Sequence, residues 1–518
     1  MITRRVVRAL DTRLGTTRFT RHAVDKAFPD NWSFMLGEVA LYSFLVLVMT
    51  GVFLTFFFDP GTNQVVYHGS YRQLDGVKMS EAYRSVVHMS FDVRAGLVMR
   101  QMHHWAALVF VGAIVVHLCR IFFTGAFRRP RELNWFVGVT LLLLALFNGF
   151  SGYSLPDDLL SGTGLRIAYS IVLTVPIVGE WAAFLVFGGE FPANNINSRL
   201  FVIHVMIVPA VITGLLAIHL AMLWRQKHTH FPGPGRKEHN VVGSRLWPSY
   251  AMKSVALFSF VVAVTGALGG LAQINPVWLY GPFQPAAVST AAQPDWYVGW
   301  LEGALRLGGP WRIHIFGRTI SEVFWPAVLV PLVVFVLLYA WPFLERLATG
   351  DHTEHHLLDR PRDHPLRTGF GIATLTFFAV LTVAGAQDIV AQELDAPILT
   401  VNRVLRVLVF ALPLATGALA WKWARDLREG EPLEVWAAKG AAPTGPAEPP
   451  VRGAPRPVPA AAAAGGTGPA TAAPDRRGWL RRTADAVVGT VLVAILVRAG
   501  RGRGRRAGGS EKTTARGP

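Results

Sequence analysis

Eight separate apolar runs, each close to the ~20 residues an α-helix needs to cross a bilayer, constrain this chain more than any other feature. They occupy residues 35–58, 103–124, 135–155, 200–224, 254–274, 322–343, 370–390 and 402–421. In hydrocarbon the backbone must satisfy its own hydrogen bonds, so runs of this length predict helices. The expected fold is all-α and polytopic, with eight transmembrane helices. A chain of 518 residues that is 52% hydrophobic and 16% charged, with mean hydropathy +0.36, is too apolar for an ordinary soluble two-domain protein. Residues 1–30 are polar and basic without an apolar h-region. No cleavable signal is expected, and the spans themselves are expected to direct insertion.

The formal charge of +17 does not read as a nucleic-acid footprint, because Lys and Arg fall in loops and tails rather than on one compact face. The basic residues crowd into the N-terminal arm and into alternate connections. Arg128, Arg129 and Arg131 follow the second span, Arg225, Lys227, Arg236 and Lys237 follow the fourth, and Arg346, Arg360, Arg362 and Arg367 follow the sixth. The opposite side is poorer, and residues 391–401 carry none. The positive-inside rule then sets both termini and these loops in the cytoplasm of a cell-membrane protein, and the second and fourth spans run in the same direction. Cys119 stands alone. Disulfides, cysteine-ligated clusters and covalent C-x-x-C-H haem attachment are excluded within the chain, and any metal must sit on histidine or carboxylate.

The second span carries His103 and His117, 14 residues apart, and the fourth carries His204 and His219, 15 apart. At 100° and 1.5 Å per residue, each pair stays within about 40–60° of one helix face and is separated by about 21–22 Å. Two stacked levels result. Because the spans are parallel, His103 should face His204 at the outer level and His117 should face His219 at the inner one. Facing imidazoles are the usual way a helical bundle holds a haem iron by both axial positions, so the core is expected to be a four-helix bundle holding two haems. A lone intramembrane histidine is more often packed or hydrogen-bonded, but four at two matched levels favour ligation. His104 is rotated about 140° off that face relative to His117 and is assigned to packing or hydrogen bonding.

Gly37 and Gly51 on the first span, and Gly138 and Gly152 on the third, repeat the 14-residue spacing. One such pair among 50 glycines would be chance; two suggest space for flat macrocycles between close helices. Arg100 and Arg120 lie three residues from a ligand at either membrane face, where they could pair haem propionates or simply snorkel.

At this point a resemblance becomes specific. The stretch from Arg100-Gln-Met-His103 to His117-Leu-Cys-Arg120, the glycine pairs, Gly152-Tyr-Ser-Leu-Pro156 and the loop Pro294-Asp295-Trp296-Tyr297 resemble the cytochrome b family of quinol–cytochrome c reductases over about residues 30–425. The run Leu155-Pro-Asp-Asp-Leu-Leu-Ser-Gly-Thr-Gly164 is most similar to the actinobacterial members. The resemblance implies two non-covalent b-type haems and an outer quinol-oxidising site bounded by Gly152–Leu165 and Pro294–Tyr297. It implies a second quinone site near the inner haem, with protons released outside and taken up inside. It also implies a Rieske iron–sulfur subunit and a cytochrome c subunit, a terminal oxidase in a supercomplex, and a dimer. Menaquinol as substrate follows from the actinobacterial likeness alone.

Three departures stand out. Pro-Asp-Trp-Tyr replaces the family's Pro-Glu-Trp-Tyr, Leu-Pro-Asp-Asp replaces the mitochondrial Leu-Pro-Trp-Gly, and the histidines of the fourth span are 15 apart, unlike the mitochondrial 14 and similar to the photosynthetic and Gram-positive branches. A carboxyl in a low-dielectric pocket suits proton relay, so Asp295 is expected to accept a proton from quinol; the plain alternative is a helix cap. At the inner site the family supplies Lys-Asp from the start of the fifth span, whereas here Met252-Lys253-Ser254 keeps only the lysine. Glu38, an intramembrane carboxylate, and one of His228 or His230, titrating near neutrality, are the expected proton carriers beside Lys253. Glu38 could instead merely pair with Lys253 or an N-terminal arginine.

The sequence therefore divides into an arm (1–34), a haem-binding bundle (35–225), a second transmembrane region (226–425) and a tail (426–518) that is Ala/Pro/Gly-rich, then basic, with an interfacial apolar run at 486–497. The tail is expected to attach to anionic lipid and to be dispensable for catalysis. The two long outer segments, 156–199 and 275–321, suit surface helices covering an active site. His352, Glu354, His355, His356, Asp359, Asp363 and His364 have metal-like spacing, although a solvated polar loop explains them more simply. A di-haem membrane anchor of another quinone-linked dehydrogenase is the nearest alternative, but it needs no Pro-Asp-Trp-Tyr loop. A haem-free transporter with structural histidines is the other.

Overall fold

The computed structural model describes residues 11–13, 24–193, 195–287, 293–315 and 317–430. The tail beyond 430, including the apolar run at 486–497, lies outside the described residues, as does most of the N-terminal arm. Among the described residues, eight helices are long and apolar enough to span a membrane. These are α1 (Trp32–Thr55), α3 (Gly96–Phe123), α4 (Glu132–Tyr153), α7 (Ile196–Gln226), α8 (Leu246–Leu271), α10 (Trp325–Thr349), α11 (Pro365–Gly385) and α12 (Ile398–Glu429). They match the eight apolar runs, and the all-α polytopic class stands.

Helices α1, α3, α4 and α7 surround a core that includes Phe44, Phe110, Ala145 and Ile212. α1 packs along α3 and α4 along α7, while α8 lies against α1 and α3. The packing therefore continues across residue 225, and the described helices share one compact unit.

The outer segments fold into short helices: α5 (Leu159–Leu173) and α6 (Gly179–Phe187) after α4, and α9 (Trp296–Leu307) before α10. α5 starts at Asp158, whose carboxylate accepts from Leu160 N while the Asp158 N–H donates to Ser161 Oγ, which caps orphan N–H groups. α9 is set down on α11 through bare backbone. A Cβ at Gly303 would meet the Leu381 carbonyl at 1.7 Å, and one at Gly385 would meet the Gly299 carbonyl at 2.3 Å. This contact aims the start of α9, and with it Asp295, at the bundle. A third outer piece was not anticipated. Antiparallel strands Gln64–Val66 and Lys78–Ser80 and α2 (Glu81–Phe91) enclose a small core of Tyr67, Met79, Tyr83 and Trp278.

On the opposite side the loop at 351–364 is not the solvated polar loop the sequence suggested. Asp359 binds Arg128 (2.8 Å), Arg367 (2.6 Å) and His364 (3.1 Å). The Arg367 side chain is 3% exposed. Arg131 donates to the carbonyls of His355 (2.6 Å), Gln226 (3.2 Å) and Lys227 (3.0 Å). Three connections thus interlock. Among the described residues no group of three or more His, Cys, Asp or Glu side chains could hold a metal.

Candidate functional site

The four histidines lie at two levels. His103 and His204 face each other with ring centroids 6.2 Å apart, a separation that admits one metal atom about 2 Å from each facing nitrogen. A Cβ built on Gly51 would lie 3.2 Å from His103 Cε1, and one on Gly152 only 2.3 Å from His204 Cε1. At the other level Gly37 meets His117 Cε1 at 3.2 Å and Gly138 meets His219 Cε1 at 3.8 Å. The paired glycines therefore back the imidazoles themselves, each from the neighbouring helix, and leave the rings able to turn inward. The level order also requires α3 and α7 to run in the same direction.

The 15-residue spacing on α7 has a local cause. Residues Ile203–Ile207 form a single π-helical turn inside the helix, which absorbs one extra residue. His204 and His219 then share a face as closely as the 14-residue pair on α3 does. Nothing in the amino-acid pattern marked this turn.

The tautomers of the outer pair follow from their partners. Thr50 Oγ1 donates to Val46 O (2.7 Å) and lies 2.9 Å from His103 Nδ1, so Nδ1 must carry the proton. His204 Nδ1 donates to Asn148 O at 2.9 Å. Both Nε2 lone pairs are left for iron. Arginines at the two ends fit anionic propionates. Arg100 uses Nη2 on Asn275 O (3.2 Å) while its buried Nε has no partner, and Arg120 stacks on Phe34 with Nε and Nη2 unpartnered. Buried donors of this kind call for an acceptor.

A cavity of about 310 Å³ opens beside the outer pair, lined among others by His103, His204, Arg100, His104, Asp295 and Tyr297. Asp295 Oδ1 lies 2.8 Å from His104 Nε2, and the Tyr297 hydroxyl donates to Oδ2 at 3.0 Å. Asp295 is not a side-chain helix cap. His104, off the ligand face, is the hydrogen-bonding residue its rotation implied. Trp296 is half exposed and does not line the cavity; Pro294 precedes the carboxylate in the loop. Asp157 and Asp158, next to the wall residue Pro156, are pushed up to about 6 by burial.

At the inner end the grouping differs from the sequence reading. Glu38 is not paired with Lys253; it receives hydrogen bonds from Tyr42 (3.0 Å), Ser254 (2.8 Å) and Tyr250. Lys253 instead binds Asp30 at 2.6 Å, and this contact holds the Asp30 carboxyl below its ordinary range. His228 packs against Phe28 with the rings tilted, 4.5 Å between centroids, and Phe28 in turn lies 4.5 Å from Tyr250. His230 is buried elsewhere, bound to Lys237 O, with its backbone paired to His356 and Leu358. Burial, then the charges of Lys26, Arg131 and Arg120, drive His228 down to about 4. It is neutral at pH 7, not the near-neutral titrant its residue type suggested. Sequence reasoning missed Asp30, Tyr250 and Thr50. Asp30 sits in the arm and its partner is 223 residues away, a pairing only the fold supplies.

A membrane-length bundle with facing histidines backed by glycines, and unpartnered buried arginine nitrogens at both ends, defines a multi-pass membrane cytochrome of the b type. Residues 108–282 match the family model described as cytochrome b (N-terminal)/b6/petB. The chain is 49% identical over 423 residues to the cytochrome bc1 complex cytochrome b subunit of Mycobacterium leprae, covering 82% of this chain and 77% of that one. It is 48% identical to the subunit of the same description in Streptomyces coelicolor, over 79% of this chain and 75% of that one. A solved chain of a hyperthermophilic respiratory complex III shares the fold with TM-score 0.60 at 20% identity, covering 80% of this chain and 100% of that chain. The chain belongs to the cytochrome b subunits of cytochrome bc1 complexes, respiratory membrane oxidoreductases that work with partner subunits and whose b subunit carries b-type haem.

Proposed function

We propose that this subunit oxidises menaquinol in the cavity beside His103 and His204 and returns electrons to quinone near Glu38. The observation that carries the outer site is the His104–Asp295–Tyr297 array in the wall of that cavity. Oxidation of a quinol breaks two O–H bonds and releases two protons and two electrons. Asp295, 14% exposed, is held by a tyrosine hydroxyl and an imidazole, and it can take a proton from a quinol hydroxyl and pass it on.

His103 with His204, and His117 with His219, would hold two haems, and Arg100 and Arg120 would meet their propionates; when bound, the haems carry single electrons between the levels. With Cys119 the sole cysteine, a cysteine-ligated cluster that accepts the other electron must belong to another chain. A Rieske subunit and a cytochrome c subunit fit that need, in a dimeric assembly joined to a terminal oxidase. Glu38 and the Lys253–Asp30 pair supply protons and charge at the inner quinone, with neutral His228 as a hydrogen-bonding group. Both termini are cytoplasmic on this reading.

The test is Asp295→Asn in the assembled complex. Quinol turnover should fall about 10²-fold or more, as expected for loss of a general base, with the low-spin b-type spectrum intact. Unchanged turnover across pH would remove Asp295 from the mechanism, and absence of a b-type reduced-minus-oxidised signal in the parent would remove the haem reading altogether.

A further inference from the structure

The two histidine levels are built alike but not hydrogen-bonded alike. At the outer level both Nδ1–H groups have acceptors, Thr50 Oγ1 for His103 and Asn148 O for His204, and Ser151 Oγ is a second neighbour of His204 Nδ1 at 3.3 Å. At the inner level Nδ1 of His117 and Nδ1 of His219 are both buried with no hydrogen-bond partner. The 14-residue repeat that sets the glycines also shows where the difference is encoded. Fourteen residues before Thr50 stands Leu36, and fourteen before Asn148 stands Asn134. Asn134 still presents a carbonyl toward His219, although without hydrogen-bond geometry. Leu36 carries no side-chain acceptor.

We propose that Thr50 is a tuning residue: by accepting a hydrogen bond from His103 Nδ1–H it makes the outer haem iron harder to reduce than it would be without that hydroxyl. This rests on the two-haem reading above. Thr50 is 4% exposed, and its hydroxyl proton is committed to Val46 O at 2.7 Å. It can therefore only accept from His103 Nδ1–H. A ligating imidazole whose second nitrogen donates a hydrogen bond is a stronger electron donor. It stabilises the oxidised metal, one of the means by which a protein sets a haem potential. Each level has two axial ligands. Both Nδ1–H groups of the outer pair lie within hydrogen-bond distance of an acceptor and neither of the inner pair does, so the hydrogen-bonding contribution favours the oxidised iron at the outer level.

The experiment is redox potentiometry of the two b-type signals in the intact complex, with Thr50→Val, Thr50→Ser and Leu36→Thr. Valine keeps the shape and removes the acceptor. The outer signal should then be reduced at higher potential, by about a tenfold change in the reduced-to-oxidised ratio, equivalent to about 59 mV for one electron. Serine keeps the hydroxyl and should restore the parent value. Leu36→Thr places a hydroxyl by His117 and should move the inner signal the opposite way. If both signals are present and Thr50→Val leaves the outer potential where it was, the tuning role is wrong while the haem assignment survives. If Thr50→Val loses haem, Leu36→Thr decides, and an unmoved inner potential there overturns the proposal. A parent without two b-type signals would defeat the two-haem reading itself.

Discussion

At the scale of single residues the ligand assignment makes a prediction about pairs. Replacing His103 or His204 with Leu should remove the outer haem, and replacing His117 or His219 should remove the inner one, read by haem quantitation and potentiometry. Loss of the same haem from His103 and His219 variants would contradict the parallel arrangement of α3 and α7. Glu38 is a carboxylate engaged by three hydroxyls. Glu38→Gln keeps its shape while removing a proton carrier, so reoxidation of the inner haem by quinone should slow about 10- to 100-fold while its reduction from the outer side is unchanged in stopped-flow traces. Unaltered reoxidation would leave Glu38 as a structural acceptor for Tyr42, Ser254 and Tyr250. The histidines were legible in the sequence because their chemistry and spacing are both carried by the chain. The fate of Lys253 was not, because its carboxylate lies 223 residues away, and neither was that of His230, whose backbone pairs with His356 and Leu358 on another connection.

At the scale of the helix, the π-helical turn at Ile203–Ile207 reconciles unequal histidine spacings. One alanine inserted after Thr213, outside that turn, rotates His219 by about 100° relative to His204. The inner haem should be lost and the outer one kept, as judged by the reduced-minus-oxidised spectrum of the assembled complex. Retention of both would mean that α7 can absorb a second extra residue. The eight spans and their order could be read from hydropathy because bilayer thickness sets a length that composition must meet. The third outer piece at residues 64–91 was overlooked because its core is shared with Val277 and Trp278, far along the chain, and its own strands are three residues long.

At the scale of the whole molecule, the interlocked connections around Asp359 hold the cytoplasm-facing ends of α3, α7, α10 and α11 on the proposed topology. Asp359→Ala leaves Arg128 without its carboxylate and Arg367 with only Glu345 at 3.6 Å, and breaking a buried pair from one side costs about 3–5 kcal/mol. The thermal midpoint of the purified complex should fall, with haem released at lower temperature; an unchanged midpoint would show the network to be energetically idle. Burial raises the Asp359 carboxyl, but His364, Arg128 and Arg367 outweigh it, so it stays below its usual 3.8. A carboxylate depressed by folding stabilises above its unfolded value and loses that contribution as pH falls through the folded one. The network should therefore be intact at neutral pH and weaken only below about pH 3.8, measured as the pH dependence of the same midpoint.

The amino-acid sequence by itself determined the number of membrane helices, the two histidine levels and the residues that face each other at the outer one. Each of these depends on one periodicity, the helical turn measured against bilayer thickness, and that is a local property of the chain. The tertiary structure alone decided that glycines back the imidazoles, that Thr50 and Asn148 fix the outer tautomers, that Asp295 joins His104 and Tyr297, and that Glu38 is held by tyrosine and serine rather than lysine. These are contacts between helices whose relative rotation and height are set by packing, and a hydrogen bond a few tenths of an ångström too long is none at all.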